Sequence, residues 1–262
     1  MCLRHSALLV AGFLCFCSSL FGWSDQGHRI VALATQEILT DKSKLRMSYL
    51  LGKDGKLVDV ATWADELTEE RPETEAWHSI TIPPGAQGVD LKRDCPLGEC
   101  VTAKVRECIG IVRLAIRSRS EIVDAFKMLV ALAADMHQPL RNGYPPAESM
   151  DESVVNLGGE DMSLFEVWDS GLLSSMGSEE EVLELVRQRV DSIGYEELIE
   201  GTYRDWTWET HQVATGKIYP TVHLNEKTVL QGPALEAAYE IVVDQLAKSA
   251  IRLAHLLSVA WP

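Results

Sequence analysis

The chain reads as an all-α, mainly helical single domain, and three observations carry that reading. Apolar residues recur at helical spacing through Ile122, Phe126, Leu129 and Ala133, and again through Leu235, Tyr239, Val242, Leu246, Ala250, Leu253 and Leu257, as a buried helix face requires. Stretches with the two-residue alternation of a strand are few. Once an amino-terminal targeting segment is set aside, roughly 240 residues remain, enough for one domain with a substantial core.

Taken in order, residues 1–22 have the layout of a secretory signal peptide, with Arg4 ahead of an apolar stretch from Ala7 to Phe16. The domain is therefore expected over 23–262, and the protein is expected to be secreted or periplasmic. A cut before Trp23 puts Leu20 where a small residue is usual, whereas a cut after Ser19 suits the rule better, and both stay open. No stretch is long and uncharged enough for a comfortable membrane span, so no membrane partner is expected.

Ser24 and Asp25 are good caps for a first helix carrying Ile30, Ala34 and Ile38. Short extended pieces are expected at 79–82 and 163–167, and the Pro- and Gly-rich run 83–98 reads as loop. Further helices are expected over 109–117, 122–133, 179–190, 195–200 and 207–214, before the long closing helix.

The net charge is −15, and removal of the first 22 residues, with one Arg and no acid, leaves −16. Such a charge repels phosphate backbones and argues against a nucleic-acid binder built on a basic face. Either cations in an acidic cleft capture the substrate, or nucleic acid is not the substrate. Of six cysteines, Cys2, Cys15 and Cys17 lie in the signal segment. Cys95 and Cys100 can close a small loop in an oxidising compartment and leave Cys108 over; zinc binding by the three thiols is a weaker alternative.

The chemistry-bearing motifs are WSDQGHR at Trp23–Arg29, TWADE at Thr62–Glu66, AWHSI at Ala76–Ile80, ADMHQPLR at Ala134–Arg141 and FEVWDSG at Phe165–Gly171. Alone, His28 is an ordinary capping or surface histidine, and Asp65 with His78 is a loose two-residue match to a zinc site. Asp135 adds weight. It ends an otherwise apolar helix just before Pro139, and a carboxylate there must be paired, metal-bound or facing a cleft. His137 and His211 are expected either to support the site from behind its ligands or to serve the structure, and His223 and His255 give no signal above background.

Together these motifs, with GGE, the WETH segment at Trp208–His211 and the IRLAHLL helix, resemble the zinc-dependent, single-strand-specific S1/P1 nuclease family, whose helical fold resembles bacterial phospholipase C. The likeness implies a three-zinc template. One ion matches the Trp23 amine and carbonyl, His28 and bridging Asp135; a second matches Asp65, His78 and the same Asp135, but a helical histidine position is Ala131. The third keeps Asp169 alone, because Arg141 and Phe165 stand where histidines belong. Thr68 replaces a phosphate-stabilising arginine, Ser79 a base-stacking aromatic, and Glu160 an asparagine.

The resemblance implies hydrolysis of phosphodiester bonds in single-stranded DNA or RNA, or of 3'-nucleotides, on a reduced site holding two zinc ions. Asp65 and Asp135 are the catalytic acids, and Arg141 a substrate-binding cation standing in for the lost metal. The alternative is a catalytically impaired member that binds a ligand or a protein partner. A phospholipase-like activity would rest on fold likeness alone.

Overall fold

The computed structural model describes residues 23–114, 116–144, 152–222 and 226–261. The expected signal segment, including Cys2, Cys15 and Cys17, lies outside them, as does His223. Among the described residues the fold is all-α with one small sheet. Its helices are α1 (Asp25–Ile38), α2 (Asp41–Leu51), α3 (Trp63–Glu70), α4 (Leu91–Asp94), α5 (Val101–Leu114), α6 (Arg119–Asp135), α7 (Leu164–Glu166), α8 (Leu172–Met176), α9 (Glu179–Ile193), α10 (Tyr195–Leu198), α11 (Tyr203–Val213) and α12 (Pro233–Ala260).

Caps set the starts of several helices. The Ser118 hydroxyl accepts from Glu121 N (3.3 Å) and the Glu121 carboxylate accepts from Ser118 N (3.0 Å), so α6 starts at Arg119, ahead of its apolar stripe. Ser178 with Glu181 and Thr202 with Asp205 form the same reciprocal cap on α9 and α11. The second of these moves the start of α11 from the expected Thr207 to Tyr203. Helix α5 runs from Val101 to Leu114 instead of 109–117, because Val101, Val105, Cys108 and Val112 form its buried stripe.

The core lies where α5 packs along α6 and where α12 crosses α1, α6 and α9. Phe126, Leu129, Leu132, Leu246, Leu253 and Leu257 are fully buried there, each contributing roughly 1.5–3 kcal/mol of apolar burial. Neither α2 nor α3 was expected. Both are polar on one side and short, and α2 owes its start to Thr40, whose hydroxyl accepts from Ser43 N (3.2 Å).

The sheet is ordered β2-β1-β3 and comprises β1 (Val154–Leu157), β2 (Glu160–Ser163) and β3 (Thr228–Leu230). Leu157 pairs with Glu160 across Gly158 and Gly159, whose φ of 62° and 100° suit the two left-handed positions of a tight hairpin turn. The piece expected to be extended over 163–167 is instead the end of β2 turning into α7, since Ser163 and Glu166 form another reciprocal cap. The segment 79–82 is extended but joins no sheet. Ile80 N and Ile82 N donate to the carbonyls of Arg141 and Gly143, each at 2.9 Å, which ties it to the turn that follows α6.

Candidate active site

Five separate segments deliver the side chains singled out above. His28 comes from the first turn of α1, Asp65 from α3, His78 from the short turn Pro72–His78, and Asp135 from the last residue of α6. Asp169 comes from the π-helical segment Val167–Gly171. The end of α6 is fixed by Asn142, whose amide donates to the carbonyls of Met136 (3.2 Å) and Gln138 (2.8 Å), filling acceptors that a helix end leaves open.

His28, Asp135, His78 and Asp65 form a closed, buried ring. Asp135 turns one oxygen to each imidazole: Oδ1 is 3.3 Å from His28 Nε2 and Oδ2 is 2.8 Å from His78 Nδ1. Asp65 does the same from the other side, at 3.6 Å from His28 Nε2 and 3.5 Å from His78 Nδ1. Each carboxylate therefore bridges both histidines through different oxygens.

The electrostatics follow from that enclosure. Burial pushes the Asp65 carboxyl up, only partly offset by His28, to about 6. For His28, burial alone would lower the pKa, but the charges of Asp65 and Asp135 outweigh it and raise the imidazole to about 9. At Asp135 burial is likewise overcome, by His28 and His78, and the acid is held well below the usual carboxylate range. Asp169, largely buried, is raised by desolvation to about 7 despite Arg141 and His28 nearby.

Both ring nitrogens of His28, and Oδ1 of Asp65, Asp135 and Asp169, are buried without an aligned hydrogen bond. Buried polar atoms are normally satisfied, so this set asks for a further partner. The donors, two imidazoles and two carboxylates, suit zinc. An ion held at about 2.0–2.2 Å separates its ligand atoms by roughly 3 to 3.5 Å, close to three of the four ring edges. The fourth edge, at 2.8 Å, is a direct hydrogen bond, and no group of three or more His, Cys, Asp or Glu among the described residues stands open as a metal cage. The residues fit the ion in chemistry, in a ring drawn shut on itself.

Trp23, which stands just before α1, is fully buried. A Cβ on Gly27 would meet the Trp23 Cβ at 2.7 Å, so glycine one turn into α1 is what lets the indole fold back. Ser24 N donates to the Asp169 carbonyl (3.2 Å), which seats the start of the domain against the segment bearing Asp169.

Arg141 lies at the base of the site, with 8% of its surface exposed. Its guanidinium carbon is 4.8 Å from the centre of the Phe165 ring, and its Nε and Nη2 have no hydrogen-bond partner. Burial lowers its pKa, and the charges of Asp135, Asp169 and Asp65 oppose that shift. Ala131 is fully buried and brings no ligand atom, Ser79 is partly buried in the segment tied to Arg141, and Glu160 is exposed on β2.

Sequence reasoning treated Thr68 only as a loss. The structure gives it a place: its hydroxyl lies 3.2 Å from His78 Nε2, 2.8 Å from the Thr74 hydroxyl, and donates to Ala64 O (3.0 Å). Its position three residues after Asp65, on the same side of α3, was the available signal. His137 and His211 have the structural roles expected of them. His137 Nδ1 bonds the Ala133 carbonyl (2.8 Å) and its Nε2 faces Arg252 Nη1 (3.2 Å), while His211 Nδ1 bonds the Asn142 carbonyl (2.7 Å). Cys95 and Cys100 are joined in a disulfide, and Cys108 is free and buried.

The S1/P1 Nuclease family model matches residues 23–261. Nuclease S1 of Aspergillus oryzae is 30% identical over 169 residues, covering 62% of this chain and 58% of that protein. Endonuclease 3 of Arabidopsis thaliana is 27% identical over 177 residues, covering 64% of this chain and 58% of that protein. Endonuclease 4 of Arabidopsis thaliana is 24% identical over 283 residues, covering 95% and 90%. The chain thus spans little more than half the length of the first two relatives.

Proposed function

The chain belongs to the S1/P1 nuclease family, and from that membership we propose that it is an exported, zinc-dependent phosphodiester hydrolase acting on single-stranded DNA or RNA, or on 3'-nucleotides. The observation that carries the proposal is the ring in which Asp135 and Asp65 each touch both His28 and His78.

His28 and Asp135, with the main chain of Trp23, would hold one zinc ion, and Asp65, His78 and Asp135 a second. Bound zinc supplies Lewis acidity and lowers the pKa of water to the point where it attacks phosphorus near neutrality. Asp135 fixes the spacing of the site by committing one oxygen to each side. Asp65, the more accessible of the two acids, orients the attacking water. Thr68 holds His78 in one ring orientation, as a partner behind a ligand does.

No third zinc is proposed. Its positions carry Arg141, Phe165 and Asp169, of which only the carboxylate is a ligand. Arg141 instead presents fixed positive charge, with two unpartnered guanidinium nitrogens for phosphate oxygens and Phe165 covering one face of the guanidinium. Asp169 is proposed to hold that cation in place.

The test is elemental analysis of the purified protein, alongside hydrolysis of single-stranded DNA, RNA and 3'-nucleotides with and without chelator. Two zinc ions per chain and chelator-sensitive hydrolysis restored by zinc are expected. A protein that takes up no zinc and cleaves none of the three is a binding module on a retained fold.

A further inference from the structure

Positive charge gathers at the end of α6 opposite to Asp135. Arg119 opens that helix and Asp135 closes it, so at 1.5 Å per residue the two lie about 24 Å apart. Around Arg119, a cavity of about 510 Å³ is lined by Arg46 of α2, Arg113 of α5, and Arg117, over a floor that includes Val112, Ile122 and Trp261. Among the described residues no Asp or Glu lines it.

These arginines are poorly neutralised. Arg46 and Arg113 are exposed and have no ion-pair partner among the described residues. Arg117 reaches only the Glu121 carboxylate, at 3.8 Å. Arg119 donates to the Tyr49 carbonyl (2.9 Å) and stacks 5.0 Å over the Tyr49 ring, leaving its charge uncompensated. In a chain of net charge −15, four guanidinium groups around one concavity, with no Asp or Glu among its described lining, form a receptor for a multiply charged anion. Arginine's planar fork and the size of the cavity suit phosphate groups.

A neighbouring groove says what carries those phosphates. It shares Arg117 with the cavity and is lined by Trp63 and Trp77, which stand two residues before Asp65 and one before His78. Lys127 lies 4.9 Å over the Trp63 ring and Lys104 4.3 Å over that of Trp77. Successive aromatic faces beside cations are how proteins hold single strands without reading their sequence. Glu107, Glu121 and Asp124 also line this groove, so it offers rings for bases, while the attraction for phosphate is concentrated in the cavity.

We propose that the arginine cavity is a distal phosphate anchor for a single-stranded polynucleotide whose reacting bond lies at Asp65, His78 and Asp135, a reading that rests on the hydrolase function proposed above. A strand long enough to span both places gains affinity from the anchor. A dinucleotide does not reach it.

The experiment measures binding of a fluorescein-labelled, twenty-nucleotide oligothymidylate by anisotropy over a range of salt, with chelator present, and separately the zinc-loaded cleavage of that strand and of a dinucleotide. With four arginines engaged, log affinity should fall with log salt at a slope near −3, on the basis of about 0.7 per neutralised phosphate. Charge reversal in R46E/R113E should weaken binding roughly tenfold or more, and R46Q/R113Q should make the slope shallower by about 1.4, with dinucleotide hydrolysis unchanged in both. The glutamine pair guards against a folding defect in the reversed pair. Unchanged affinity and slope in both variants, with strand cleavage intact, overturns the anchor and leaves the hydrolase reading standing. Binding that depends on the arginines, in a protein that cleaves neither substrate, supports the anchor and defeats the hydrolase reading.

Discussion

The guanidinium of Arg141 rests 4.8 Å over the ring of Phe165. These are the two positions at which the family resemblance calls for zinc-binding histidines, and here they satisfy one another. A cation over an aromatic face in a desolvated site is attractive by up to about 2 kcal/mol, enough to hold the guanidinium plane with its N–H edge free. On the reading proposed above, a tethered cation takes the place that the resemblance gives to a third metal.

Replacing Arg141 with alanine should lower kcat/KM for phosphodiester substrates roughly a hundredfold, as loss of one well-placed charge donor does, with zinc content unchanged. Arg141→Lys should recover only part of that, because an ammonium lacks the two-pronged geometry. Steady-state kinetics with parallel elemental analysis checks both; a fall in zinc content would reassign Arg141 to site assembly.

Thr68→Val keeps the shape of the side chain and removes the hydroxyl facing His78 Nε2. Zinc affinity should weaken about 10- to 100-fold, the usual effect of deleting a partner behind a ligand, and competition with a chromophoric chelator reads it directly. Equal zinc affinity in the variant would show that the Thr68 contact does nothing for the imidazole.

Chelator-treated protein should lose thermal stability as pH rises from about 6.5 to 9. His28 is held near 9 in the fold against an ordinary 6.5, so its stabilising contribution is complete below 6.5 and fades as pH climbs through 9. Asp65 and Asp169, raised to about 6 and about 7, contribute with the same sign at lower pH. The depressed Asp135 acts oppositely, but below the ordinary carboxylate range. Melting curves should show this alkaline decline in wild type and a weaker one in His28→Gln, and zinc should flatten it.

The acid side should depend on Glu209. Burial would raise its pKa, but Arg252 and Lys248 outweigh that and hold it near 2 against an ordinary 4.5. Its contribution is therefore present above 4.5 and lost as pH falls toward 2. Glu209→Gln should destabilise the fold at neutral pH, by leaving the buried Arg252 short of its counter-charge, and should blunt the acid transition followed by circular dichroism.

Much of this was legible in the chain. The stripes through Phe126 and Leu246 announced two core helices, and acids and histidines in short motifs announced the ring, because both depend on residue type and spacing. Helix starts were misplaced where a polar cap such as Thr202 precedes the apolar stripe. Helices α2 and α3 escaped notice because their burial is one-sided and slight. Thr68 could be read only as a missing arginine, since its value lies in a contact across ten residues to His78. The net charge argued against a basic surface, yet a sum over the chain says nothing of where arginines from α2, α5 and α6 meet.

The bond between Arg252 and His137 has a consequence for any shortened form of this protein. Helix α12 reaches back to the imidazole two residues beyond Asp135, so it braces the turn that follows that buried acid. A form lacking that helix should not keep a merely weakened site; it should leave the turn after Asp135 without its brace. Deleting α12 should therefore disturb the ring of His28, Asp65, His78 and Asp135 as thoroughly as replacing Asp135 itself.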